Sequence, residues 1–170
     1  MKVFGFAGYS GSGKTTLIEN VIPVLVRAGL RVSLIKHAHH AFDVDQPGKD
    51  SWRHRQAGAT EVMLTSARRW VLMHETGDAP EAELPEQLRR MSSCDIVLVE
   101  GFKKQPMPKL EIHRKEHGAP FLHTEDKHII GIATDEELDT DLPQFALNDY
   151  ETIADFVRSN AGEIALPREG

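Results

Sequence analysis

The sequence has few cysteines, no long apolar run and few positive charges, and each of these excludes a class of protein. Cys94 is the one cysteine among 170 residues, so the chain cannot form an internal disulfide. No apolar run approaches the roughly 20 residues of a membrane-spanning helix, and the first residues enter a strand pattern without a signal peptide. Positive charge is also scarce, because 20 Lys and Arg stand against 26 Asp and Glu, for a net charge of −6. We therefore expect a cytoplasmic protein that binds neither membranes nor nucleic acids.

Residues 8–15 contain the most informative motif of the chain. They read Gly-Tyr-Ser-Gly-Ser-Gly-Lys-Thr, which fits the phosphate-loop pattern G-x-x-x-x-G-K-[ST]. An apolar strand pattern precedes the motif and helical spacing follows it, as a phosphate loop requires. The glycines allow successive N–H groups to converge on an anion, and the helix adds its positive end. Lys14 supplies a cation for the outer phosphates, and the Thr15 hydroxyl is suited to coordinate Mg²⁺.

The apolar patterns around this loop predict an α/β fold. Residues 3–7 and 96–99 are continuous apolar runs, as in parallel strands covered on both faces. Further strand patterns lie at 32–35, 110–113 and 129–133, and helical patterns at 14–28, 51–57, 81–91 and 154–157. Residues 61–65 and 70–74 resemble two strands joined by a short turn, which predicts a β-hairpin extension. We predict one P-loop NTPase domain over residues 1–170, with a mostly parallel central sheet flanked by helices.

Two acids flank the strongest strand pattern, residues 96–99, and the strand direction separates their roles. In an open parallel sheet, ligands gather at the carboxyl ends of the strands. Asp95 precedes the strand and is interpreted as a turn residue, whereas Glu100 follows it at the ligand end. A carboxylate there is suited to hold Mg²⁺ directly or through water, or to polarise an attacking water. Asp is the usual residue in this role, so direct coordination by the longer Glu100 stays open.

A polar segment at residues 37–50 separates the second strand pattern from the next helix. Its three histidines, His37, His39 and His40, suggest transition-metal binding, but cysteines and further paired ligands are lacking, and phosphate or partner contacts are the alternative. Asp43 and Asp45 occupy the segment that in many phosphate-loop proteins acts as a switch near Mg²⁺, and a plain turn is the alternative. Basic residues concentrate between positions 31 and 69. This local charge suits a second phosphorylated ligand.

Several segments combine into a pattern that is more specific than the phosphate loop. They are Gly8 to Thr16, Leu34-Ile35-Lys36-His37, Asp43-Val44-Asp45, Pro47-Gly48-Lys49-Asp50-Ser51, Arg69-Trp70 and Val99-Glu100-Gly101-Phe102-Lys103. The loop alone indicates a nucleotide-binding protein, and the runs at 47–51 and 100–103 make the pattern specific. Together they resemble the molybdopterin-guanine dinucleotide biosynthesis protein B family, MobB, over most of the chain to about Asp149.

The resemblance implies a GTP-binding protein with feeble GTPase activity. It also implies a homodimer that acts as an adaptor for the nucleotidyltransferase that attaches GMP to molybdopterin. Molybdopterin is itself a further candidate ligand of the protein. The phosphates would be held by Gly11, Ser12, Gly13, Lys14, Thr15 and Thr16. Mg²⁺ would lie near Thr15, Glu100 and Asp45, with Lys14 and Glu100 as the catalytic residues. Candidates for a second anionic ligand or the partner are Lys36, His37 and Lys49.

The guanine site is less defined. Asp135 follows the strand pattern at 129–133, where a carboxylate is suited to accept two hydrogen bonds from the guanine edge. No N/T-K-x-D signature accompanies it, so a plain turn is an equal alternative.

Two other functions stay open. A small-molecule kinase shares the loop and the sheet, but it needs an arginine-rich lid, and no clear lid is present. A nickel metallochaperone GTPase would account for the histidines, but it normally carries a cysteine-containing metal motif, which Cys94 alone does not supply. Neither a glutamine nor an arginine finger is evident near the loop, so we expect hydrolysis to be slow.

Overall fold

The computed structural model describes residues 1–38, 42–102 and 105–164. His39, His40 and Lys103 lie outside the described residues. The chain divides into two compact units. The sheet unit consists of Met1–His37 and Leu84–Gly170, and the hairpin unit consists of Ala38–Glu83.

The secondary structure has the predicted order of strands and helices. In chain order the elements are β1 (Lys2–Ala7), α1 (Lys14–Arg27), β2 (Val32–Lys36), α2 (Asp50–Gln56), β3 (Glu61–Thr65), β4 (Trp70–His74), α3 (Leu84–Arg89), β5 (Ile96–Glu100), β6 (Lys109–Ile112), a 3₁₀ turn (Lys115–His117), β7 (Ile129–Thr134), β8 (Gln144–Ala146), α4 (Tyr150–Asn160) and β9 (Gly162–Glu163).

The sheet unit is built on a seven-stranded sheet in the order β2-β5-β1-β6-β7-β8. These six strands are parallel, and β9 pairs antiparallel with the first residues of β1. The predicted mostly parallel central sheet is therefore confirmed. Because β5 and β6 flank β1, the segments that follow these strands emerge beside the phosphate loop.

Successive side chains of a strand point to opposite faces of the sheet, so the central strands contribute to two apolar cores, one on each face. Phe4 and Phe6 of β1 belong to the core that includes α1 and α4. Val3 belongs to the opposite core, with Val97 of β5 and Leu88 of α3. Both faces of β1 and β5 are covered, which explains their continuous apolar sequence.

The helix predicted at residues 81–91 is shorter, since α3 spans Leu84–Arg89. Pro85 explains the later start, because it has no N–H to donate to the carbonyl of residue 81 and is best accommodated in a first helical turn. The 3₁₀ turn, β8 and β9 have only two or three residues each and were not predicted. Segments this short carry too little periodicity to be recognised.

The hairpin unit contains the predicted antiparallel hairpin. β3 and β4 pair from Glu61 opposite His74 to Thr65 opposite Trp70, and the Ser66 N–H closes the turn on the Arg69 carbonyl. Across both units, the described part of the chain contains no helix with the length and apolarity to cross a membrane.

Candidate functional site

The phosphate loop joins the buried end of β1 to the first turn of α1. Apolar residues fix α1 on the sheet, namely Leu17, Ile18, Val21 and Leu25. Gly13 precedes the helix at φ 95°, a left-handed backbone conformation that favours glycine. A Cβ at this position would lie 3.1 Å from the Arg114 guanidinium. The loop thus places the N-terminus of a 14-residue helix at the carboxyl edge of the sheet, where an anion is stabilised.

Lys14 folds back over this loop. Its Nζ donates to the Gly8 carbonyl at 2.9 Å and to the Tyr9 carbonyl at 2.7 Å. The Ser12 side chain lies under the loop, 3% exposed, and its hydroxyl has no hydrogen-bond partner among the described residues. A cation held at the loop and an unpaired buried hydroxyl fit a site that takes an anion with its own hydrogen-bonding atoms.

Thr15, Lys36 and Glu100 meet at the ends of α1, β2 and β5. The Thr15 hydroxyl donates to Glu100 Oε1 at 3.3 Å, and Lys36 Nζ lies 3.3 Å from Glu100 Oε2. Lys36 Nζ also donates to the Thr15 hydroxyl at 3.3 Å. Glu100 is buried, and a buried negative charge needs a nearby positive one. The Lys36 ammonium group supplies that positive charge. The structure therefore brings the sequence-predicted Mg²⁺ residues Thr15 and Glu100 together, and it adds Lys36 to them.

His37 and the segment after β5 are in close contact. The His37 N–H donates to the Glu100 carbonyl at 2.8 Å, and its ring lies 5.1 Å from the Phe102 ring. Gly101 adopts φ 109°, and a Cβ there would lie 2.7 Å from His37 Cβ. Only glycine fits both the backbone angle and this approach. Gly101 therefore permits β2 and β5 to place Lys36 and Glu100 side by side.

A pocket of about 350 Å³ adjoins the phosphate loop on the side of β7 and β8. Its lining consists of Gly13, Thr16, Leu17, Arg114, Thr134, Asp135, Ala146, Leu147, Asn148 and Tyr150. Asp135 Oδ1 accepts a hydrogen bond from the Lys115 N–H at 2.8 Å, which orients the carboxylate. The pocket brings Gly13, Thr16 and Asp135, three sequence-predicted site residues, to one concave surface.

Asp45 and Lys49 belong to the hairpin unit. Asp45 Oδ1 accepts from the Ser51 hydroxyl at 2.8 Å, and Oδ2 lies 3.4 Å from Arg55 Nε. Lys49 is exposed and immediately precedes α2. The predicted role of Asp45 near Mg²⁺ and that of Lys49 toward an anion or partner remain predictions.

Arg55 organises the acids of this unit. Its guanidinium contacts Asp43 at 2.7 Å and Glu75 at 2.7 Å, in addition to Asp45. The Asp45 N–H and this guanidinium lower the pKa of Asp43, and hydrogen bonds to Asp43 and Glu75 raise the pKa of Arg55. The segment around residue 45 is therefore held by ionic contacts to Arg55 of α2, which also contacts Glu75, the residue after β4.

The described residues contain no group of three or more His, Cys, Asp and Glu side chains arranged to hold a metal ion. The histidine-cluster prediction includes His39 and His40, which lie outside the described residues. Cys94 is buried, and its thiol donates to the Ile96 carbonyl at 3.5 Å.

Comparison with known proteins decides the family. Residues 3–135 match the family profile described as MobB, molybdopterin guanine dinucleotide synthesis protein B. The chain belongs to the MobB family. A relative from Haemophilus influenzae, named molybdopterin-guanine dinucleotide biosynthesis adapter protein, is 43% identical over 92% of this chain and 88% of its own. A relative of the same name from Escherichia coli is 44% identical over 91% of this chain and 90% of its own.

Solved structures of the MobB family agree with this assignment. The crystal structure of Bacillus subtilis MobB superimposes with a TM-score of 0.76 at 27% identity, covering 95% of this chain and 98% of that chain. The predicted P-loop NTPase fold is therefore confirmed.

Two residues next to the MobB phosphate loop were missed from the sequence. Arg114 Nε donates to the Ser12 carbonyl at 3.2 Å, and His117 Nε2 lies 2.6 Å from the Ser10 carbonyl oxygen. No arginine finger is evident near the loop from the sequence, and the structure places Arg114 at the loop through its contact to the Ser12 carbonyl. These residues belong to a segment after β6 that we call the strap, residues 114–118. The position of the strap directly after a strand pattern was the one sequence signal that it could lie at the ligand end of the sheet. The sequence does not show, however, that β6 pairs with β1, which is what brings the strap to the phosphate loop.

Proposed function

We propose that this protein binds GTP with Mg²⁺ and acts as an adapter in molybdopterin guanine dinucleotide biosynthesis. Membership of the MobB family and the names of two relatives at 43% and 44% identity support the adapter role. The single observation that supports nucleotide binding most strongly is the placement of Lys14, Thr15 and Glu100 at one edge of the sheet.

The loop residues would bind the phosphates. Backbone N–H groups from Gly11 to Thr16 lie at or before the first turn of α1, where anions are stabilised. Lys14 Nζ, held at two loop carbonyls, is positioned to exchange one of them for a phosphate oxygen.

Thr15 and Glu100 are the proposed Mg²⁺ ligands. A hydroxyl and a carboxylate supply the hard oxygen atoms that Mg²⁺ prefers, and phosphates and waters would complete its octahedron. Mg²⁺ would neutralise charge on the transferring phosphate. Lys36 Nζ contacts the same two side chains, so Mg²⁺ binding would require Lys36 to move away from them. The Lys36 ammonium group would then be able to contact an anionic ligand at the carboxyl edge of the sheet.

The pocket beside the loop is the proposed site for the guanosine moiety. Its volume of about 350 Å³ is at the lower end of the range for small-molecule sites. Lys115 N–H orients the Asp135 carboxylate, and no hydrogen bond to Oδ2 is found within the described ranges. Asp135 is therefore proposed to accept hydrogen bonds from the guanine edge.

We further propose that hydrolysis is slow and that the protein acts through a partner. The partner would be the guanylyltransferase of molybdenum-cofactor synthesis, in the cytoplasm. Lys36, His37 and Lys49 are proposed contacts for that enzyme or for molybdopterin, an anionic ligand. Lys36 and Lys49 are both exposed, as such contacts require.

A homodimer is proposed from the surface of the hairpin unit. Register places Met63, Trp70 and Leu72 on one face of the hairpin, where they are 58%, 59% and 41% exposed. A two-stranded sheet is marginally stable alone, and an apolar face of this kind is typical of an interaction site. A second copy presents the same face, so the two can pair about a two-fold axis.

Calorimetric titration with GTP, GDP, ATP and molybdopterin, each with and without Mg²⁺, tests the ligand assignment. We expect GTP to bind most tightly and Mg²⁺ to strengthen it. Absence of nucleotide binding would contradict the assignment, and preferential ATP binding with phosphoryl transfer would favour a kinase. Tight stoichiometric nickel binding would instead favour a metallochaperone.

Reconstitution tests the adapter role. The guanylyltransferase, molybdopterin and GTP are combined at limiting substrate while this protein is varied. We expect complex formation and a rising yield of the dinucleotide product. Unchanged yield together with no detectable complex would contradict the adapter proposal.

A further inference from the structure

The strap contacts the phosphate loop at three points. Arg114 Nε donates to the Ser12 carbonyl at 3.2 Å, and His117 Nε2 lies 2.6 Å from the Ser10 carbonyl oxygen. The His117 ring also stacks on Tyr9, with ring centroids 6.2 Å apart and an angle of 29° between the planes. The strap therefore covers three of the four residues from Tyr9 to Ser12.

Peptide planarity explains why contacts to carbonyl oxygens affect anion binding. In a trans peptide the carbonyl of one residue and the N–H of the next point in opposite directions. A donor that fixes the Ser10 carbonyl consequently fixes the direction of the Gly11 N–H, and a donor on the Ser12 carbonyl fixes the Gly13 N–H. Both glycines have positive φ values, 83° and 95°. Because glycine backbone is permissive, these two N–H groups need an external constraint to converge on an anion.

The strap is itself anchored to the neighbouring strand. It starts two residues after β6, and the Lys115 N–H donates to Asp135 Oδ1 at 2.8 Å. His113, just before it, contacts Glu136 Oε1 through Nε2 at 3.2 Å, and Lys115 Nζ lies 3.7 Å from Glu136 Oε2. Contacts to Asp135 and Glu136 therefore fix the strap to the segment after β7.

Further along the same connection, a buried carboxylate restrains the chain that returns from the strap to β7. Glu111 is 1% exposed and accepts from the N–H groups of Leu122 and His123 at 2.7 and 2.9 Å. Its Oε2 also lies 3.0 Å from His123 Nδ1. The strap is thus held on both sides rather than being an unrestrained surface loop.

We infer that the strap preorganises the phosphate loop, with His117 and Arg114 as positioning residues for nucleotide binding. It also connects the two halves of the site, because Asp135 in the pocket anchors the Lys115 N–H while His117 and Arg114 hold the loop carbonyls. This inference rests on the proposed nucleotide binding. His117 is the cleaner residue to test, since Arg114 also lines the pocket and would contact a ligand there.

The first test measures the loop without nucleotide. The Ser12 N–H donates to the Tyr9 carbonyl at 3.2 Å across Ser10 and Gly11, so its amide hydrogen exchange reports on this turn of the loop. It is followed by NMR in the nucleotide-free protein, as wild type, His117→Ala and His117→Gln. We expect Ser12 to exchange faster in His117→Ala, by roughly three- to tenfold for the loss of one hydrogen bond. The glutamine amide nitrogen can take the place of Nε2, so His117→Gln should restore slow exchange.

Two further variants test whether faster exchange comes from the loss of strap contacts or from a general destabilisation of the fold. Glu116→Ala changes an exposed strap residue for which no loop contact is found in the described residues, and it should exchange as wild type does. Asp135→Ala removes the anchor of the Lys115 N–H and should accelerate Ser12 exchange, although no contact between Asp135 and the loop is found in the described residues. Equal melting temperatures for all variants would show that the fold is intact.

The second test measures affinity for Mg²⁺ and GTP by calorimetry. We expect His117→Ala to bind roughly three- to tenfold more weakly and His117→Gln to match wild type. Weaker binding with unchanged Ser12 exchange would overturn the inference, because it would make His117 a direct ligand contact. Unchanged exchange and affinity in His117→Ala would also overturn it. If wild type binds no nucleotide, the proposed function fails, while the exchange measurements still decide whether the strap orders the loop.

Discussion

At the scale of single residues, Lys14 and Glu100 occupy the same edge of the sheet with different partners. Lys14 is held by two backbone carbonyls of the loop, whereas Glu100 is buried beside a hydroxyl and an ammonium group. The first arrangement is suited to binding an anion and the second to binding a cation. Substitution of the two residues should therefore have separable effects.

Lys14→Ala should remove most of the affinity for GTP while leaving the fold intact. A charge-assisted contact contributes about 1.5–3 kcal/mol, so we expect a loss of roughly 10- to 150-fold. Titration calorimetry measures the loss, and circular dichroism checks the fold. Lys2→Ala is the matched control, because Lys2 is exposed at the opposite end of β1. An affinity equal to wild type in Lys14→Ala would refute the phosphate-loop assignment.

Glu100→Gln should weaken Mg²⁺-dependent hydrolysis more than nucleotide binding. The backbone groups that bind phosphate persist when the carboxylate is neutralised, whereas the cation loses a charged ligand. We expect phosphate release to fall by on the order of tenfold or more, from an already slow wild-type rate. Release is followed at saturating GTP, and binding is followed by calorimetry without Mg²⁺.

Asp95→Asn provides the control at the other end of β5. Asp95 accepts from the Arg31 N–H at 2.7 Å, and this bond together with the Arg31 side chain lowers the pKa of Asp95. The Asp95→Asn substitution should lower the free energy of unfolding at neutral pH and leave the rate of hydrolysis unchanged. Equal losses of binding and hydrolysis in Glu100→Gln, or rapid turnover by wild type, would contradict the separation of roles.

At the scale of elements, an ion pair between a buried lysine and a partly buried aspartate links β6 to the connection that follows it. Lys109 is 2% exposed, and its Nζ lies 2.6 Å from Asp126 Oδ2. Burial raises the pKa of Asp126, but the hydrogen bonds from Lys109 and the His128 N–H outweigh it, so the net pKa is lowered. The pair thus links the start of β6 to the end of the connection that contains the strap.

Asp126→Asn should destabilise the protein by about 2–3 kcal/mol at pH 7, because Lys109 loses its carboxylate partner. A carboxyl with a lowered pKa in the folded state stabilises the fold above its unfolded pKa, near 3.8. That stabilisation is lost as the pH falls through the folded pKa. The difference between wild type and Asp126→Asn should therefore be constant near neutrality and shrink below about pH 4.

Urea unfolding at a series of pH values measures this difference. Asp141→Asn is the control, since Asp141 is exposed and no ion pair is found for it in the described part of the chain. A difference that stays constant down to pH 2.5 would show that the ionised carboxylate is not what stabilises the pair.

At the scale of the whole molecule, the hairpin unit presents the apolar face formed by Met63, Trp70 and Leu72. Met63→Glu should convert the proposed dimer to a monomer, because it would place a carboxylate in an apolar contact. Sedimentation velocity of wild type and variant measures the change. Arg68→Glu, which alters the charge of the exposed hairpin turn, should leave the dimer intact. A monomeric wild type at micromolar concentration would contradict the homodimer, and a dimeric Met63→Glu variant would exclude this face as its interface.

The sequence by itself determined the phosphate loop, the two buried central strands and the position of Glu100 at a strand end. These follow from local pattern, since a loop motif and an apolar run are readable within a few residues. Tertiary structure alone decided that Lys36 pairs with Glu100 and that Arg114 and His117 reach the loop. Arg114 and Ser12 are 102 positions apart, and they meet because β6 is inserted beside β1 in the sheet. Strand order depends on how whole elements pack together, so no local pattern in the chain encodes it.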